Sequence, residues 1–187
     1  METKVVLLNG PPDSGKDTIA EHLCSTSRKF VHKEFKEKLF ELVKVIYSVS
    51  DQRFAELYIE KETPCEEYHG ISPRQAMIKV SEEVIKPIYG HRYFGDQAAR
   101  SLIEGKVNIF SDSGFVDEAE SLIDEIGKKN ILLVQISGRG NFNNDSRNYL
   151  PESLFTNVSV VNNTSTLASL FETVSNDISC FLGYFNE

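Results

Sequence analysis

The sequence predicts an α/β fold, with a parallel sheet wrapped by helices on both faces. Three observations lead there. Short apolar runs alternate with stretches of helical period along the whole chain. The first run, Lys4–Asn9, stops at a Gly/Pro-rich loop, as a buried parallel strand does. Gly10, Asp112 and Gly138 each follow an apolar run, at the strand ends outside which open parallel sheets hold their ligands.

The elements follow in order. From Lys16 the pattern turns helical, with Ile19, Ala20 and Leu23 on one face, and KFVHKEF (29–35) reads as a second strand. Leu39, Leu42, Val43 and Ile46 recur at three- and four-residue spacing and mark an amphipathic helix. A third helical stretch, 51–61, runs into a polar loop. Ser72-Pro73 is a helix start, serine as N-cap and proline in the first turn. The helix it opens is expected to end before Pro87, and another to cover 93–104. A strand at 107–111 carries Asp112 at its end, and a helix at 115–127 stops at Gly127. ILLVQIS (131–137) is a continuous apolar strand, whereas 138–153 has no period and reads as a lid-like loop. NVSVVNN is the last strand, and Leu167, Leu170, Phe171, Val174 and Ile178 mark a closing helix. The chain reads as one domain over 1–187, with a helical insertion at 36–104.

Hydrophobic residues at 40% and charged residues at 26% are those of an ordinary globular protein. A net charge of −8 argues against an extended nucleic-acid-binding face, while leaving room for a small basic cluster around a mononucleotide. The N-terminal apolar run is too short for a signal-peptide core or a membrane span. Three cysteines without a CxxC pair suit a reducing cytoplasm. The four histidines have no metal-ligand spacing with Cys, Asp or Glu, and no structural metal is expected.

The sharpest local signal is Gly10-x-x-x-x-Gly15-Lys16, a strand before it and a helix after it. Two glycines stand where a backbone must curl around phosphate oxygens, its N–H groups turned inward and the helix adding its positive end. Asp13 and Ser14 lie in the same loop, and Lys16 is placed to bridge the β- and γ-phosphates of ATP. Most such loops have Ser or Thr directly after the lysine, where the hydroxyl reaches magnesium. Here Asp17 holds that place and Thr18 follows. In the first helical turn, Asp17 suits either a water of the magnesium shell or the helix terminus. Asp112 fits a carboxylate that organises magnesium through water, or an N-cap for the helix beginning near Phe115.

GPPDSGKDT resembles the GPPGSGKGT loop of adenylate kinases, with Asp13 and Asp17 in place of glycines. The SGKDT form is similar to bacteriophage deoxynucleoside monophosphate kinases and to phosphomevalonate kinases. Weaker likenesses to the phage family follow in order: FKEKL (35–39), SPRQAM (72–77), VNIFSD, and the closing VVNNTSTLASLFETV. The resemblance implies a P-loop three-layer sandwich, with Thr18 as the hydroxyl on a phosphate and Arg74 as a contact to the acceptor phosphate. That family often has an arginine just after the aspartate strand, and SDSGF has none. The role then falls to Arg139 or Arg147 of the lid-like loop, or to Arg92 or Arg100.

Arg139 and Arg147 would close over the transferring phosphoryl group, where positioning and cations around the equatorial oxygens do most of the catalysis. A cation is disfavoured at a helix N-terminus, so Arg74 argues for a local anion partner. Arg92, Arg100 and Lys36 are further candidates for the acceptor side, with solvated surface roles as the alternative.

Two readings result. One is a nucleoside monophosphate kinase using ATP and Mg2+ on a deoxynucleotide acceptor, or the same machinery on phosphomevalonate or dephospho-coenzyme A. The other is a nucleotide-binding switch that hydrolyses ATP slowly or not at all. Expected partners are small-molecule nucleotides, with no extended nucleic acid and no membrane. A homodimer is left open. A cytoplasmic setting is expected, the host's if the chain is phage-encoded.

Overall fold

Along the first strand, Val5 and Leu7 alternate with Val6 and Leu8, and all four are fully buried. A strand apolar on both faces belongs inside a sheet covered on both sides. In the computed structural model, which describes residues 2–143 and 145–184, that strand, β1 (Lys4–Asn9), is the centre of a five-stranded sheet. The others are β2 (Phe30–Lys33), β3 (Val107–Ser113), β4 (Ile131–Ser137) and β5 (Asn157–Asn162). They lie in the order β2-β3-β1-β4-β5, and every neighbouring pair is parallel.

The helices are α1 (Lys16–Thr26), α2 (Glu37–Ile46), α3 (Asp51–Ile59), α4 (Pro73–Lys79), α5 (Lys86–Tyr89), α6 (Tyr93–Arg100), α7 (Val116–Ile126) and α8 (Leu167–Phe181). Ile19 and Leu23 of α1, with Leu170, Val174 and Ile178 of α8, pack on Val6, Leu8 and Ile109. On the other face, Ala98 and Ala99 of α6 and Ala119 and Leu122 of α7 pack on Val5, Leu7 and Phe110. Each large aliphatic side chain buried this way is worth about 2 kcal/mol. The two layers therefore hold the carboxyl edge of the sheet as a rigid platform. Helices α2 to α4 and the π-helical stretch after them form a cluster of their own around Val43, Phe54, Tyr68, Ala76 and Val80. No helix among the described residues is long and apolar enough to cross a membrane.

The start at Ser72 is as expected, and its end is not. Ser72 Oγ accepts from the Gln75 N–H and the Gln75 side chain accepts from the Ser72 N–H, a reciprocal cap. The helix does not stop before Pro87. It passes through a π-helical stretch at 80–85 into α5, where Pro87 sits in the first turn. There the Lys86 N–H bonds the Ser81 carbonyl five residues back, and the widened turn carries the chain past a residue that has no N–H.

Two features open a site at the carboxyl edge. Helix α1 leaves β1 on one face and α7 leaves β3 on the other, so their loops diverge and leave a crevice. The β1–β3 register also slips, Leu7 facing Phe110 but Asn9 facing Ser113, so β3 carries one extra residue there. Bulges of this kind re-aim side chains, and this one includes Asp112.

Asn9 ends β1 and locks the edge. Its fully buried side chain donates to the Ser113 and Asn148 carbonyls and accepts from the Leu150 N–H. Asn9→Ala leaves those groups without partners and is expected to cost ~3 kcal/mol in urea unfolding. A loss below ~1 kcal/mol would show that the 148–150 segment is not anchored there.

Candidate functional site

The loop from Gly10 to Gly15 joins β1 to α1. Asp13 and Gly15 have φ of 63° and 98°. At Gly15 a side chain would be strained and would crowd Asn163. Asn163 Nδ2 donates to the Ser14 carbonyl at 3.0 Å and so ties the loop to the end of β5. Helix α1 begins without a side-chain cap. Its first N–H groups thus have no side-chain acceptor, which suits an anion.

Lys16 is buried, and its Nζ donates to the Gly10 carbonyl (2.7 Å), the Pro11 carbonyl (2.6 Å) and Ser14 Oγ (3.3 Å). Burial, and then the nearby Arg147 cation, push its pKa down to about 8. An unfolded chain keeps this lysine charged to about 10.4, so the unliganded fold binds fewer protons between those values and gains stability from this group as pH rises. A bound phosphate anion has the opposite pull, since it favours the charged lysine. Nucleotide affinity is therefore expected to fall above pH 8, approaching about tenfold per pH unit, in calorimetric titrations from neutral to alkaline pH. A flat profile would show that Lys16 does not meet the phosphates.

The loop opens on a cavity of about 740 Å3. Lys16, Asp17 and Thr18 stand at one end. Lys36, Lys61, Arg74, Lys86 and Arg147 line the rest, with the rings of Phe35, Phe40, Tyr58, Phe94 and Phe115. Acidic side chains line the cavity too, among them Asp17, Glu82, Asp112, Glu118 and Asp145. Burial, followed by Arg74 and Lys36, also lowers the pKa of Lys61. Burial is the leading cause for both lysines, whereas Lys36, beside Asp112 and Glu34, is raised instead.

Asp112 lines the cavity, yet its carboxylate oxygens are engaged. They accept from the Phe35 N–H (2.9 Å) and the Lys36 N–H (3.2 Å), fixing the turn between β2 and α2. Burial pushes its pKa up, against the pull of Lys36. It does not cap α7, whose N-cap is Phe115. Nor does it join Asp17. Asp17 groups instead with His32 and Glu34, whose ligand atoms all lie within 4.8 Å of one another. Lys36 pairs with Glu34 at 2.8 Å, and although burial works against its charge, Asp112 and Glu34 raise its pKa.

Of the four arginines proposed for the missing position, only Arg147 lines this cavity. Its stem lies against Gly114, where a Cβ would come within 2.5 Å of Arg147 Cβ. The glycine of SDSGF thus makes room for the Arg147 stem beside the end of β3. Asp145 holds the guanidinium through Nε (2.9 Å) and Nη2 (2.7 Å). Arg74, at the start of α4, also lines the cavity and pairs with Glu62 at 2.5 Å. Arg139 lies elsewhere, exposed and 3.5 Å from the Ser165 carbonyl. Arg92 bonds Asp124 and Ser121 of α7, and Arg100 borders a separate cavity of about 240 Å3. These three do not line the main cavity because the segments that carry them face other surfaces. Residue 144 of the lid-like loop lies outside the described residues.

Sequence reasoning missed Lys61, Lys86, Glu118, Asp145, His32 and Glu34. Lys61 and Lys86 belong to the helical insertion, Glu118 to α7, Asp145 to the 138–153 loop and Glu34 to the turn after β2, so no local pattern groups them. Glu118 Oε2 is buried without a hydrogen-bond partner, and burial, then Asp112, raises its pKa well above the usual carboxyl range. No family model matches the chain, and no curated protein matches its sequence.

Proposed function

We propose that the protein is a nucleoside monophosphate kinase, transferring the γ-phosphoryl group of ATP to a deoxynucleoside monophosphate, with GPPDSGKDT as its phosphate-binding loop. The observation that carries this reading is one continuous cavity. It has Lys16 and the α1 N-terminus at one end, and Lys61, Arg74 and Arg147 among aromatic rings in its other walls. Its volume is in the range of nucleotide-sized ligands.

Each step is assigned to residues of this chain. The loop N–H groups and Lys16 bind the donor phosphates, and Thr18 caps them with its hydroxyl. Arg74 and Lys61 draw in the acceptor phosphate and hold it facing the donor. Arg147, fixed by Asp145, meets the charge that builds on the transferring group. The acceptor phosphate is already an anionic nucleophile, so no general base is needed. Segment 138–153 excludes water that would otherwise consume ATP. The carboxylates of Asp17 and Glu34 beside the loop fit a divalent cation, which when bound neutralises phosphate charge.

Other phosphorylated acceptors would use the same cations. The five aromatic rings favour one with a planar base. An analogue joining adenosine to a deoxynucleoside through five phosphates should therefore bind far more tightly than ATP, and raise the melting temperature further. Binding no tighter than ATP would overturn the two-nucleotide reading.

A further inference from the structure

Asp17, His32 and Glu34 come from three places: the first turn of α1, the middle of β2, and the turn after it. Their ligand atoms lie within 4.8 Å of one another, close enough for small side-chain rotations to bring all three to about 2.1 Å from a single ion. We propose that these three side chains form a transition-metal site of the manganese-to-zinc class, and that it prefers such an ion to magnesium. That this ion then serves the phosphoryl transfer rests on the kinase reading. The site itself does not.

Four observations support it. Asp17 has no hydrogen-bond or ion-pair partner among the described residues, although its neighbour Lys16 does. His32 Nε2 lies 2.8 Å from Ser111 Oγ, a contact that fixes the orientation of the imidazole. Glu34 is held from two sides, by Lys36 on Oε1 and by the Glu37 carboxylate on its own N–H. Finally, β2 is bonded into the sheet and α1 is packed on it, so the donors sit on rigid supports.

The donor set decides the metal. Two carboxylates this close repel each other, and Lys36 compensates only one of them. A divalent cation relieves the remainder. Magnesium prefers an all-oxygen octahedron and keeps its waters, whereas an imidazole nitrogen suits manganese, cobalt and zinc. His32 is therefore the selecting ligand. Two carboxylates and one imidazole leave further positions for water and, during turnover, for a nucleotide phosphate oxygen.

The test is a Mn2+ titration of the nucleotide-free protein, followed by loss of the free-ion electron paramagnetic resonance signal. One ion per chain is expected, displaced by Mg2+ only at more than about 100-fold excess. His32→Gln should weaken Mn2+ at least about tenfold and erase the preference over Mg2+. Asp17→Asn, at an exposed position that leaves the fold undisturbed, should remove the site. Equal Mn2+ binding in wild type and Asp17→Asn, or an unchanged metal preference in His32→Gln, would overturn the proposal, as would no binding below millimolar Mn2+. Because no nucleotide is present, the result stands whether or not the chain phosphorylates a nucleotide.

Discussion

Lys16→Met should lower the rate of phosphoryl transfer by at least about 10³-fold while leaving the fold in place. The side chain is a cation held inside the loop, bonded to the Gly10 and Pro11 carbonyls, with a pKa already depressed by burial. Methionine keeps the apolar stem and removes the charge. Two carbonyls lose a donor, but the cost of burying an ammonium disappears with it, so the two effects on stability oppose each other. The melting temperature is expected to move by only a few degrees. Single-turnover measurements should show the loss in the chemical step as well as in ATP affinity. A variant with near wild-type turnover would mean that the loop does not hold the phosphates.

Arg147→Ala should cost about 10³-fold in kcat with a much smaller change in ATP affinity. A cation that meets charge only as it develops contributes to the transition state and little to ground-state binding. A companion change separates position from charge. Gly114→Ala leaves the guanidinium intact but puts a Cβ 2.5 Å from Arg147 Cβ and 2.9 Å from its Cγ. It should lower kcat by about 10–100-fold, since a displacement near 1 Å is costly for a positioned group. Arg139→Ala, which alters an exposed residue outside the cavity, should leave kcat within about twofold. If Arg139→Ala is the damaging change instead, the assignment of Arg147 is wrong.

The sheet was legible because three of its strands are apolar on both faces, and such runs have few alternatives once Gly/Pro loops bound them. The phosphate-loop pattern was legible because it is local, seven residues whose spacing carries its meaning. The far wall of the cavity was not. Lys61 and Lys86 sit on surface-like charged stretches, and their inward position depends on how α3, α4 and the π-helical stretch pack around Phe54, Tyr68 and Val80. Arg92 read as an acceptor ligand for the same reason in reverse, because residue type and order do not say that it reaches Asp124 on α7. The extension of α4 through Pro87 depended on a π-helical turn that periodicity does not reveal. Nothing in the sequence marks Gly114 as the residue that makes room for the Arg147 stem. His32 and Glu34 stand two residues apart, but only the packing of α1 beside β2 brings Asp17 to them.

The central claim is that one cavity joins a phosphate-donor loop to an acceptor site for a nucleoside monophosphate. The most direct measurement incubates the protein with ATP and a divalent cation, adding each deoxy- and ribonucleoside monophosphate in turn. ADP and nucleoside diphosphate are then quantified by chromatography, with Lys16→Met as control. The account predicts stoichiometric ADP and diphosphate from one or more deoxynucleotides, and neither product in the mutant. ATP bound but no diphosphate formed from any nucleotide would contradict it.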